Sequence, residues 1–328
     1  MKAVYITEFG SPENIEIRDL PDPPALNGTQ VLVSVRAAGL NRADLLQVAG
    51  HYPPPAGFSP NVPGLEFAGE VTAVANDVQT WKIGDRVFGI TAGEAQAEFL
   101  VTDETLLAQI PENLSFAEAA AVPEAFITAN DAIFTLGELR SDETLLIHAV
   151  GSGVGLAALQ LAKAKDATVI GTSRTSDKLD RCKEFGLDAA ISTENDIDFA
   201  AKIDEITGGK SVDVILDLVG AAYFQENLAS LVLKGRLILV GLTSGRTAEF
   251  NLGVALQKRL TVVGTTLRGR PTHEKAEATR KFVDEVVPLL ASGKIRPNLD
   301  RVYAAADVIA AYNYLGSNES FGKVVLEF

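Results

Sequence analysis

The chain has 328 residues, 47% of them hydrophobic, enough for two domains of ordinary size with separate cores. A formal net charge of −14 disfavours phosphate backbones and anionic lipid as general partners, so neither nucleic acid nor membrane is expected. A single cysteine, Cys182, excludes an intrachain disulfide and a cysteine-based zinc site. Residues 1–20 hold no continuous apolar run of the secretory type, and no apolar run reaches the roughly 20 residues of a membrane span, so a soluble cytoplasmic protein is expected.

The first third reads as β-rich. VLVSVRAAG (31–39), FAGEVTAVA (67–75) and DRVFGI (85–90) mix β-branched and apolar residues between Gly, Pro and Asn. Pro-rich stretches at 21–24 and 53–55 predict rigid loops. Within VPGLEFAGE (62–70), one carboxylate, Glu66, stands in an apolar run. It could be a metal ligand, a catalytic acid or a structural anchor.

From residue 144 the pattern changes. Strand-like runs at 144–150, 167–173, 188–192, 212–220, 235–241 and 259–266 alternate with helical ones at 154–165, 176–186, 196–206, 222–232 and 252–257. Six strands joined by helices predict a doubly wound parallel sheet. The tail predicts one amphipathic helix over 273–291 and a last strand, GKVVLEF (322–328), that returns to the β-rich domain. The fold class is α/β.

HAVGSGVGLAALQLAK (148–163) joins the first of these strands to a helix through a Gly-rich turn. Such a turn brings backbone N–H groups and a helix N-terminus up to a pyrophosphate. The strict G-x-G-x-x-G fingerprint fails at Leu156, but the position after the first strand of a βα series points to a dinucleotide. Ser152, Gly153 and Val154 are the expected contacts. The next strand ends in GTSRTSDK (171–178), without the acidic residue that holds a ribose 2′-hydroxyl. Ser173, Arg174 and Lys178 suit a 2′-phosphate instead, so NADPH is expected over NADH.

NRADLLQVAGHYPPP (41–55), VPGLEFAGEV (62–71), KIGDRVFG (82–89), AAAVPEAFITA (119–129), the 148–163 turn and FGKVVLEF (321–328) occur in this order and spacing. Together they resemble the medium-chain dehydrogenase/reductase family, in its zinc-independent quinone oxidoreductase branch and nearest its tumour-suppressor-induced group. The resemblance implies a discontinuous GroES-like catalytic domain (1–122 and 267–328) and a Rossmann NADPH-binding domain (123–266), with the cofactor between them. It implies NADPH-dependent reduction of planar quinones, ortho-quinones among them, by a homodimer whose contact is the edge strand near 260–266.

The resemblance also implies site residues. Tyr52 and Asn41 fall on the catalytic side and near the nicotinamide, with Asp44 close by. Further cofactor contacts are implied at Thr128, at Val240, Gly241 and Leu242, at Thr265, Thr266 and Leu267, and at Phe321, Gly322 and Lys323. Thr193 stands where near relatives have a Tyr at the adenosine phosphate. Zinc-dependent relatives carry His where this chain has Leu65 and Cys near Ala38, so no metal is expected. Glu66 then reads as an anchor bound by backbone N–H groups or a basic partner. Two alternatives are an NADPH-dependent enoyl or alkenal reductase acting on an enone, and a non-catalytic nucleotide-binding protein.

Overall fold

The structure, a computed structural model, describes residues 1–328. The chain divides into two compact units, Met1–Ile127 with Leu267–Phe328, and Thr128–Thr266. The first crossing falls within the helix Pro123–Asn130.

The N-terminal stretch contains β1 (Lys2–Ile6), β2 (Ile15–Asp19), β3 (Gln30–Leu40), α1 (Arg42–Val48), β4 (Glu66–Val74), β5 (Arg86–Ile90), β6 (Phe99–Asp103), β7 (Leu107–Gln109) and α2 (Phe116–Ala120). Helix α3 (Pro123–Asn130) carries the chain into the second unit. There follow β8 (Thr144–Ile147), α4 (Gly153–Ala164), β9 (Thr168–Ser173), α5 (Ser176–Cys182), β10 (Ala189–Ser192), α6 (Phe199–Thr207), β11 (Val212–Asp217), α7 (Phe224–Ser230), β12 (Leu231–Leu239), α8 (Leu252–Lys258) and β13 (Thr261–Gly264). The return to the first unit supplies α9 (Thr272–Glu285), α10 (Val287–Ala291), β14 (Leu299–Ala304), α11 (Val308–Gly316) and β15 (Lys323–Glu327).

The first unit is organised on β3. Burial alternates along its first half and then becomes continuous from Ala37, the pattern of a strand covered first on one face and then on both. Its start pairs with β6, its end with β15, and most of its length with β4, all antiparallel. The last strand therefore returns to the β-rich unit, as its sequence predicts. At Gly39 the packing tolerates no side chain: a Cβ would stand 2.5 Å from Glu66 Oε1 and from the Ala120 carbonyl.

The second unit is a six-stranded parallel sheet in the order β10-β9-β8-β11-β12-β13. Leu146, Ile170, Ile215 and Leu237 pack with Phe199 and Leu228 in its core. Two local expectations are corrected, and further elements appear that the sequence leaves unassigned. The tail helix breaks at Val286, because Pro288 lacks an N–H and its ring crowds the carbonyl four residues back; the proline sits instead in the first turn of α10. Strand β12 begins at Leu231, so the preceding helix stops earlier. The β1–β2 pair and α11, unassigned from the sequence, pack Val4, Ile6 and Ile15 against Tyr312 and Leu315.

Candidate functional site

Glu66 opens β4 and is wholly buried. Its Oε1 lies 2.5 Å from Lys323 Nζ and accepts from Asn41 Nδ2 at 2.9 Å. Its Oε2 accepts the Glu124 N–H at 2.8 Å. Every strong donor needed to keep a carboxylate in the interior is thus present. Lys323 in turn donates to the Leu40 carbonyl and Asn41 Oδ1, both at 2.7 Å. Its three ammonium hydrogens are directed to three protein acceptors. The side chains of Asn41 and Lys323, both expected at the cofactor, are joined to each other and to Glu66.

Asp44 is buried in the first turn of α1. It accepts the Asn41 N–H at 2.8 Å and the Gly64 N–H at 3.1 Å, joining the helix start to the segment before β4. Burial pushes its carboxyl up to about 6. Glu124, half-buried at the start of α3, is pushed up to about 8, by burial first and then by the Glu66 charge. Glu124 therefore holds a proton at neutral pH. Sequence reasoning did not single it out; its place in VPEAF, after a proline, was the only local signal.

Tyr52 lies in the loop between α1 and β4 and is half-buried, with its phenol hydroxyl making no hydrogen bond within the protein. The guanidinium carbon of Arg268 lies 5.1 Å from the centre of its ring. Arg268 is 3% exposed, and its Nη1–H donates to the Tyr52 carbonyl at 2.9 Å. Burial raises the pKa of the phenol, the Arg268 charge opposes that rise, and Glu124 adds to it. The phenol is a neutral donor across the physiological range.

In the second unit, Ser152 caps α4, its Oγ accepting the Gly155 N–H at 3.1 Å. A Cβ at Gly155 would meet the Ala149 carbonyl at 2.6 Å, so this glycine serves strand–helix packing. Ser152, Gly153 and Val154 are half-buried at a twelve-residue helix N-terminus, the geometry that suits a phosphate. At the end of β9, Ser173 is buried while Arg174 is exposed and Lys178 half-buried. Arg174 and Lys178 place two positive charges just after this strand.

A buried polar chain braces the same strand ends. His148 Nδ1 is 2.8 Å from Thr172 Oγ1, and its Nε2 is 2.6 Å from Asn227 Oδ1. Asn227 Nδ2 donates to Asp217 Oδ2 at 2.9 Å, and Asp217 Oδ1 accepts the N–H groups of Val219 and Gly220. Burial lowers the basicity of the imidazole, with Asp217 pulling the other way. The chain links β8, β9, β11 and α7. Thr193 is buried and accepts the Tyr223 hydroxyl at 2.7 Å.

The remaining predicted contacts fall as follows. Val240 and Gly241 donate their N–H groups to the Asp217 carbonyl at 2.9 and 3.1 Å, and Leu242 is exposed. Leu242 lines a cavity of about 210 Å³ together with Phe224, Leu239, Arg246 and Phe250. Thr265 and Thr266 follow β13, and Thr128 is half-buried on α3. Leu267 and Phe321 are buried in the first unit. Gly322 has φ +97°, and a Cβ there would collide with Asn298.

Residues 27–131 match the family described as the alcohol dehydrogenase GroES-like domain, and residues 153–285 match the zinc-binding dehydrogenase family. A quinone oxidoreductase of Pseudomonas aeruginosa is 34% identical, over 99% of both chains. The crystal structure of Escherichia coli quinone oxidoreductase complexed with NADPH superposes with a TM-score of 0.90 at 31% identity, over 100% of both chains. The JamJ enoyl reductase structure gives a TM-score of 0.88 at 26% identity, over 99% of this chain and 98% of that one.

Zinc, which one of these family names implies, does not fit the residues present. No three His, Cys, Asp or Glu side chains come together in a way that could hold a metal ion. Leu65 is a buried apolar side chain, Cys182 is buried in α5, and Glu66 is neutralised by the protein's own ammonium at Lys323.

Proposed function

The chain belongs to the medium-chain dehydrogenase/reductase family, among the quinone oxidoreductases, and from that premise we propose that it is a zinc-independent, NADPH-dependent quinone oxidoreductase. The observation that carries this reading is Tyr52: a neutral phenol in the unit that lacks a metal site, with its ring over Arg268 and its hydroxyl unpartnered. Such a hydroxyl donates a hydrogen bond to a carbonyl oxygen that gains negative charge on reduction. The phenol ring also offers a face on which a planar quinone stacks.

NADPH, when bound, supplies the hydride. The N-terminus of α4 receives its pyrophosphate through Ser152, Gly153 and Val154. Arg174 and Lys178, at the end of β9 and in α5, pair with the 2′-phosphate. The test of this part is a binding titration with NADPH and NADH. Arg174→Ala is expected to weaken NADPH by about 10- to 100-fold and NADH little. Equal losses would place the 2′-phosphate elsewhere.

Ortho-quinones are the planar quinones we assign as substrates, an assignment that rests on the resemblance to the quinone oxidoreductases. A second reading, reduction of a double bond conjugated to a carbonyl, is favoured by the resemblance to the enoyl reductase structure. A homodimer formed through the open edge of β13 is part of the proposal. Its test is the mass in solution, and a monomer at micromolar concentration would refute it.

A further inference from the structure

Tyr52 lies in a loop, residues 49–65, that contains no helix or strand. What fixes the phenol in such a loop is not evident from its sequence. Arg268, which precedes α9, meets three separate segments. Its Nε–H donates to the Ala92 carbonyl at 2.8 Å, its Nη1–H to the Tyr52 carbonyl at 2.9 Å, and its Nη2–H to Gln47 Oε1 at 2.5 Å. Gln47 continues the connection: it is buried on α1, and its Nε2–H donates to the Pro60 carbonyl at 2.8 Å. One planar cation therefore ties α1, the segment after β5 and both ends of the Tyr52 loop, while its charge faces the Tyr52 ring at 5.1 Å.

We propose that Arg268 is a positioning residue for the reaction: it holds the Tyr52 phenol in place, hydroxyl directed to the substrate carbonyl, and sets the electrostatics of that hydroxyl. This rests on the reading of Tyr52 as the hydrogen-bond donor. The guanidinium is suited to the task because its donors form a rigid fork and it stays charged at all working pH values. A Lys at this position keeps the charge but not the three-way geometry. The other charged or titratable groups that act on Arg268 and Tyr52 are Asp44, Glu124, Lys275 and Tyr312. Asp44 and Glu124 titrate at lower pH than the phenol, so they are in a constant state where Tyr52 ionises.

Two measurements test this, one of them free of turnover. The first follows the pH titration of the Tyr52 ring carbon by NMR in protein labelled at tyrosine, with Tyr52→Phe assigning the signal. Arg268→Met is expected to shift the titration upward, because the cation that favours the phenolate is gone; Arg268→Lys is expected to shift it less. The second is a kinetic double-mutant cycle with NADPH and an ortho-quinone. Arg268→Met is expected to lower kcat by about 10- to 100-fold, the usual effect of misplacing a reacting group by an ångström or so. Adding Arg268→Met to Tyr52→Phe is expected to cost little more than Tyr52→Phe alone. A merely structural arginine would give additive losses and an unmoved phenol titration, and either result overturns the proposal. Arg268→Lys and Gln47→Leu, which remove fewer contacts, carry the same tests if Arg268→Met does not fold. Wild-type turnover in Tyr52→Phe would refute the reading of Tyr52 itself, while the NMR titration would still decide whether Arg268 governs the phenol.

Discussion

Lys323 Nζ lies 2.5 Å from Glu66 Oε1, both side chains almost fully buried, and this contact ties the last strand of the chain to β4 through the start of α1. Removing one partner leaves an uncompensated charge in the interior. Glu66→Gln and Lys323→Met are each expected to cost about 3–5 kcal/mol, measured by urea denaturation. The double substitution is expected to recover a large part of that loss. Full additivity would mean that the two side chains do not act as a pair.

Glu124 gives a pH signature. Its carboxyl rises from 4.5 to about 8 in the folded chain, through burial and the Glu66 charge. Between those values the native state holds a proton that the unfolded state has lost. Stability from this group is therefore complete below pH 4.5 and declines as pH rises to about 8. Glu124→Gln removes that decline. Its melting temperature is expected to exceed that of the wild type by more at pH 8 than at pH 5. An equal offset at both values would contradict the assignment.

His148 works in the opposite direction. Burial favours the neutral ring, so its native value lies below 6.5. The unfolded state takes up a proton first as pH falls, and stability is lost from about 6.5 downward. His148→Gln is expected to be less stable at neutral pH, since Thr172 and Asn227 lose an acceptor and donor of the right geometry. It is expected to lack the wild-type fall between pH 7 and 5. Parallel pH curves for the two proteins would sink this explanation.

Much of the second unit was readable in the sequence because its signals are local. Each strand is a short apolar run followed by a helical period, and the Gly-rich turn with Ser152 at the helix start is contiguous. The nature of Glu66 was also readable, since an anchored carboxylate in an apolar run requires donors. The identity of its partner was not. Lys323 is at the other end of the chain, and only the fold brings its ammonium to Leu40, Asn41 and Glu66. Arg268 was missed for a related reason. It lies one residue beyond Leu267, in an irregular stretch, and all three of its acceptors come from segments distant in sequence.

The most direct test of the central claim compares two substrates with the same NADPH-loaded protein, following NADPH oxidation. One is a planar ortho-quinone and the other a 2-enoyl thioester, each with wild type and Tyr52→Phe. The account predicts rapid oxidation with the quinone, little with the thioester, and a fall of about 10- to 100-fold in quinone turnover on loss of the Tyr52 hydroxyl. Tight NADPH binding with turnover of the thioester alone would contradict it and assign the site to double-bond reduction.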